Sequence, residues 1–124
     1  MRILKILVVE DDPNRIERFK KELRVHKVRF ATSSDQAIEI LENENFDLIC
    51  LDHDLGGGAY EPSDENSGYG VAKHMEANKI PGEVIIHSLN PVGAANINSA
   101  LPHAVRIPFI SLFEDGRLRA MIWS

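Results

Sequence analysis

Two short apolar runs, each ending in an acidic corner, constrain this chain more than any other feature. Ile6-Leu7-Val8-Val9 leads into Glu10-Asp11-Asp12-Pro13, and Phe46-Asp47-Leu48-Ile49-Cys50-Leu51 leads into Asp52-His53-Asp54. An apolar run this short, bounded by turn residues, predicts a strand covered on both faces. Open parallel sheets bind ligands just beyond the carboxyl ends of their strands. The two corners therefore predict a crevice lined by at least Glu10, Asp11 and Asp52. Like charges gathered in this way are unfavourable unless protons or a cation join them. Oxygen-only ligands suit a hard divalent ion such as Mg2+.

Strand and helix signals alternate along the rest of the chain. Ile3 to Val9 reads as the first strand, and Asp12-Pro13 reads as a helix start with Asp as N-cap and Pro in the first turn. Ile16, Phe19 and Leu23 form the apolar stripe of that helix, with Arg15, Glu17, Arg18, Lys20, Lys21 and Glu22 outside it. Val28 to Thr32 is a second strand. Ser33, Ser34 and Asp35 supply caps for a second helix, whose apolar face is Ala37, Ile38, Ile40 and Leu41. Asp47 to Leu51 is the third strand. Residues 56–67 carry glycines, a proline and small polar side chains, which predicts a long loop. A third helix is expected over Gly68 to Glu76, with Tyr69, Val71, Ala72 and Met75 packed inward. Val84 to Ile86 is the fourth strand, and Asn90-Pro91 opens a short fourth helix containing Ala94, Ala95, Ile97 and Leu101. Ala104 to Ile107 is a short fifth strand stopped by Pro108. Asp115-Gly116 signals a turn, and Leu118 to Trp123 fits either a helix or a strand, so the C-terminus is atypical.

This alternation indicates an α/β domain. The expected architecture is one domain over residues 1–124, a flavodoxin-like doubly wound sheet of five parallel strands in the order 2-1-3-4-5. That order sets the first and third strands side by side, so their acidic ends meet.

Composition removes several functions. The chain has 124 residues and a formal net charge of -5, which gives no electrostatic footprint for wrapping nucleic acid, so direct DNA binding is not expected. The one cysteine, Cys50, lies inside an apolar strand and reads as a small buried hydrophobe. No disulfide framework and no cysteine-based zinc site can form within one chain. No apolar run approaches the ~18 residues that span a bilayer, and nothing resembles a signal peptide, which makes a cytoplasmic location the default expectation.

At this point the chain resembles the receiver domain of two-component response regulators. Ile6 to Pro13 matches that family's first strand and acidic pair, Glu10 and Asp11. Phe46 to Asp52 matches the strand that ends in the phosphoacceptor aspartate, here Asp52. Ser67-Gly68 stands for the Asp-Gly before its third helix, Val84-Ile85-Ile86-His87-Ser88 for its fourth strand with Ser88 as the switch hydroxyl, and Ile107-Pro108-Phe109 for its Lys-Pro-Phe. The resemblance implies an aspartyl phosphate on Asp52. It also implies Mg2+ held by Glu10, Asp11, Asp52 and the backbone carbonyl of Asp54, a hydrogen bond from Ser88 to a phosphoryl oxygen, a sensor kinase or other phosphodonor, and a downstream protein partner. No output domain fits within the chain, so any output is expected to lie in that partner.

The departures are specific. Ile107 takes the place of the family lysine, and Arg106, one residue early, points to the opposite side of its strand. The loop after the third strand is enlarged. His53, Asp54, His87 and Asn90 add polar groups around the pocket. Asp-His-Asp-Leu-Gly followed by His-Ser-Leu-Asn-Pro resembles a divergent receiver-like branch proposed to process cyclic phosphates. His53 and His87 are therefore candidate proton carriers near neutral pH. They could instead bias the site towards a transition metal, since imidazole suits Mn2+, Zn2+ or Ni2+ better than Mg2+. If Ser88 faces the pocket, strand alternation turns His87 away. Tyr60 is a candidate lid, and Glu61, Asp64 and Glu65 read as solvated. Three functions stay open: a stand-alone phosphoacceptor receiver, a metal-dependent phosphoesterase acting on a cyclic phosphate at an RNA end or on a nucleotide, and a pseudo-receiver binding module without turnover.

Overall fold

In the computed structural model, which describes residues 2–55, 67–114 and Leu118, the first apolar run forms β1, Lys5–Val9. The other strands are β2 (Lys27–Ala31), β3 (Leu48–Leu51), β4 (Glu83–Ile86) and β5 (Val105–Arg106), and all five pair in parallel in the order 2-1-3-4-5. The expected order holds. β1 and β3 occupy the middle of the sheet, and from Ile6 and Leu48 onward every residue of both is buried.

Side chains alternate across a strand, so the sheet sorts its residues into two cores. Leu7, Val9, Ile49, Leu51, Val84 and Ile86 pack on one face, beneath α2 (Ser34–Asn43), α3 (Gly68–Ala77) and α4 (Pro91–Ala100). Ile6, Val8, Leu48, Cys50, Ile85 and Ile107 pack on the other, beneath α1 (Pro13–Glu22) and α5 (Phe109–Glu114). Phe19 of α1 is fully buried there, edge-to-face with Phe109 and Phe113 at 5.7 and 5.3 Å. Burial pushes the Cys50 thiol up to about 12, consistent with an inert core residue.

The caps follow the sequence. Asp12 accepts from the N–H groups of Asn14 and Arg15 at 2.8 and 3.2 Å, Ser33 from Gln36, and Asn90 from Gly93 at 3.0 Å. The fourth helix, expected to be short, runs for ten residues, the same length as each of the first three. Pro91 in its first turn and the buried stripe of Gly93, Ala94 and Ile97 sustain it. β5 is shorter than expected, and α5 forms directly after Pro108, in the tail whose pattern was ambiguous. Residues 115–117 and 119–124, with the expected turn and most of the last element, lie outside the described residues. So do 56–66, with Tyr60, Glu61, Asp64 and Glu65. The flanks of that segment meet: Asp54 pairs with Ser67 in an antiparallel bridge, and Gly68 N–H donates to His53 C=O at 3.0 Å. No helix among the described residues is long and apolar enough to cross a membrane.

Candidate phosphoryl and metal site

Strand register builds the site. Val9 stands beside Leu51 and Leu51 beside Ile86, so the next residues, Glu10, Asp52 and His87, form a row across the sheet. Backbone pairing continues through them: Asp52 N–H donates to Val9 C=O at 3.1 Å and His87 N–H to Leu51 C=O at 3.0 Å. Each is two residues beyond Val8, Cys50 or Ile85, so all three side chains point to the α1 and α5 face. All three are buried. Their ligand atoms lie within 4.8 Å of one another, a group able to hold a metal ion.

Glu10 is the most constrained of the three. Its Oε2 accepts from the N–H groups of Asp11 and Asp12 at 3.0 and 3.1 Å, and its Oε1 lies 3.0 Å from His87 Nε2. Burial disfavours its charge, but the hydrogen bond and charge of His87, the Asp12 N–H and Arg15 together hold Glu10 below the ordinary carboxylate range. Because the Glu10 carboxylate can only accept, His87 Nε2 carries the proton of this hydrogen bond. His87 Nδ1 is then buried without a hydrogen-bond partner among the described residues, and the ring lies edge-on to Phe19 at 5.1 Å.

Asp52 has the opposite balance. Burial pushes its carboxyl up to about 6; Glu10 adds to that shift, while His87 and Arg15 oppose it. Its backbone is also crowded, because a Cβ at Gly68 would lie 2.1 Å from Asp52 C=O, so α3 can start there only with glycine.

Glu10, Asp11, Asp52 and Asp54 line one open crevice of about 370 Å³ together with Asp12, Pro13, Arg15 and Leu89. The four residues expected to hold a metal are thus neighbours. The other candidates are placed differently. His87 lies behind Glu10 and does not line the crevice. Ser88, on the opposite side of the chain, turns its Oγ to Asn90 N–H at 3.0 Å. His53 packs on Gly93 of α4, with Nδ1 3.0 Å from Asp54 Oδ1, and Asn90 Nδ2 donates to the same oxygen at 3.2 Å. Asp54 is exposed, so its side chain joins His53 and Asn90 at the rim. Ile107 is buried at the lysine position, and Arg106 is exposed on the other face, as the one-residue offset requires.

Sequence reasoning missed Arg15. Its Nη1 lies 3.6 Å from Glu10 Oε1 and 3.7 Å from Asp52 Oδ2. The signal was its position in the first turn of α1. Helical side chains lean toward the N-terminus, and this N-terminus opens on the crevice.

The donor set fits a hard divalent ion. Carboxylate oxygens dominate it: among the described residues, Glu10, Asp11, Asp12, Asp52 and Asp54 line the crevice against one basic residue, Arg15.

A family model described as cyclic-phosphate processing Receiver domain matches residues 6–103. A search of curated proteins gave no match. Among solved structures, the response regulator protein TrrA of Thermotoga maritima, in complex with Mg2+ and BeF, aligns with a TM-score of 0.72 at 24% identity, over 96% of each chain. The signal receiver domain of a LuxO-type repressor protein of Vibrio parahaemolyticus gives 0.72 at 21% identity, over 98% of this chain and 88% of that one. The phosphorylated cyanobacterial phytochrome response regulator RcpA gives 0.72 at 20% identity, over 98% and 94%. These likenesses establish the shared fold.

Proposed function

The chain belongs to the cyclic-phosphate processing receiver domains, and from that premise we propose that its crevice carries out phosphoryl chemistry, with Asp52 as the phosphoacceptor. One observation carries this reading. Asp52 is a buried carboxylate at the end of a central strand, and it opens onto a crevice shared with Glu10, Asp11 and Asp54. A carboxylate oxygen so placed can attack phosphorus, form an acyl phosphate and release the donor's leaving group. Glu10, Asp11 and Asp52, with the Asp54 carbonyl, would hold Mg2+. The ion, when bound, neutralises charge on the incoming phosphoryl oxygens. Glu10 acts through its fixed orientation, which His87 and two backbone N–H groups impose. Receiver domains generally work with kinases and downstream proteins. A phosphodonor kinase and a protein partner are the corresponding proposals here.

Hydrolysis of a cyclic phosphate, on an RNA end or a nucleotide, is a second reading. The family description supports it, and so does the basicity of Asp52. A carboxyl at about 6 suits a general base near neutral pH. Asp52 would then take a proton from water whose oxygen bonds to phosphorus as the ring P–O bond breaks, and return that proton to the released ring oxygen as its hydroxyl.

Intact-mass measurement with acetyl phosphate, with and without Mg2+, separates the readings. A Mg2+-dependent gain of one phosphoryl group, absent in Asp52→Asn, supports the phosphoacceptor. Turnover of 2′,3′-cyclic nucleotides without an adduct, also lost in Asp52→Asn, supports the hydrolase. Neither result in the wild-type protein would leave the silent binding module.

A further inference from the structure

The crevice has one basic lining residue among those described, and it does not come from the strand where the resemblance would put a lysine. Ile107 follows β5 on the α1 and α5 face and is buried in that core, so no cation enters from that side. Arg15 enters instead from the third helical position of α1. Its guanidinium carbon lies 5.1 Å from the centre of the Phe109 ring. That ring is itself held edge-to-face against Phe19 and Phe113 at 5.7 and 5.5 Å. The guanidinium is therefore braced on one side and faces carboxylates on the other.

Its distances matter. At 3.6 and 3.7 Å from Glu10 and Asp52, Arg15 is close enough for ion pairing but beyond hydrogen-bond range. Among the described residues its guanidinium donates no hydrogen bond. A planar group with several uncommitted donors, aimed into a polar crevice, has the chemistry to grip phosphoryl oxygens. We propose that Arg15 is the anion-binding residue of the crevice and donates to the phosphoryl oxygens at Asp52. This proposal rests on the phosphoacceptor reading. A phosphoryl group on Asp52 replaces a single carboxylate with a more highly charged anion, which strengthens the attraction of an Arg15 guanidinium already 3.7 Å from that side chain.

The same placement gives Arg15 a second, opposite effect. Without an anion it competes with a divalent cation for Glu10 and Asp52. Its removal should therefore weaken anion capture while tightening metal binding, a pair of signs that a purely structural residue would not produce. The test is calorimetric titration of the full chain with Mg2+ alone, then with beryllofluoride in saturating Mg2+. Wild type, Arg15→Met, Arg15→Lys and Asp52→Asn are compared. Met keeps the apolar stem over Phe109 and removes the charge. We expect Arg15→Met to bind beryllofluoride about 10–100-fold more weakly and Mg2+ more tightly, with Arg15→Lys between it and wild type. Unchanged beryllofluoride affinity in Arg15→Met overturns the proposal, and so does loss of both ligands. Wild type that binds Mg2+ but no beryllofluoride would instead overturn the Asp52 reading beneath it.

Discussion

Asp52 and Glu10 are neighbouring carboxylates with opposite electrostatic fates, and the pH dependence of the protein follows from that split. Asp52 is raised from 3.8 to about 6, so between those values the folded state holds a proton that the unfolded chain has released. Stability from this residue therefore falls as pH rises through that window, and at neutral pH the ionised Asp52 costs on the order of 3 kcal/mol. Asp52→Asn should raise the thermal midpoint at pH 7 by several degrees and by much less at pH 4, as scanning calorimetry would show. Glu10 is lowered instead. Its contribution is present above the unfolded carboxylate value and is lost as pH falls through its folded one. His87→Leu would strand that buried carboxylate. We expect a loss of about 3–5 kcal/mol by urea titration, with His87→Gln recovering part of it through its amide N–H. Glu10, Asp11 and Asp52 were legible in the sequence because they form the acidic corners that end two apolar runs. His87 was only half legible: alternation showed that it and Ser88 point to opposite sides, and the Leu51 to Ile86 register sets His87 beside Asp52, behind Glu10 rather than in the crevice. Arg15 was hidden because a polar residue beside an apolar helical stripe ordinarily faces solvent.

Secondary-structure elements were legible wherever a run, a period or a cap repeated long enough to register. β1, β3 and β4 are apolar runs, and Asp12-Pro13, Ser33 and Asn90-Pro91 mark helix starts by side-chain chemistry. α5 escaped because six residues are too few for a helical period. It is held by Phe109 and Phe113 against Phe19, a contact between distant parts of the chain. The start of α3 is the least forgiving junction. A methyl group at Gly68 would overlap the Asp52 carbonyl, so Gly68→Ala should either shift α3 or deform the end of β3. The expected outcome is a loss of roughly 2 kcal/mol or more, together with weaker Mg2+ binding. At the opposite corner, Asp12→Ala should cost only about 1 kcal/mol, because the Asp12 N–H that steadies Glu10 belongs to the backbone and survives the change.

Across the whole molecule, a net charge of -5 and an acidic crevice make cations the natural stabilisers. Mg2+ bound only by the folded state should raise the thermal midpoint with concentration, by about 2.7 kcal/mol of stability at a hundred times its dissociation constant. EDTA should reverse the gain, Asp11→Asn should blunt it, and added NaCl should weaken it by screening. The architecture was legible as a whole because strand and helix alternate so regularly. What register and long-range contacts add is the choice of neighbours at the crevice. The bridge between Asp54 and Ser67 has a broader consequence. The two described flanks, ending at Leu55 and beginning at Ser67, are fastened to each other by one clasp, so the number of residues between them is thermodynamically separable from the sheet. Doubling a loop's length adds only about 0.6 kcal/mol of closure entropy. The length of that insert can therefore change, through evolution or by a protein engineer, with little cost to the sheet that carries Asp52.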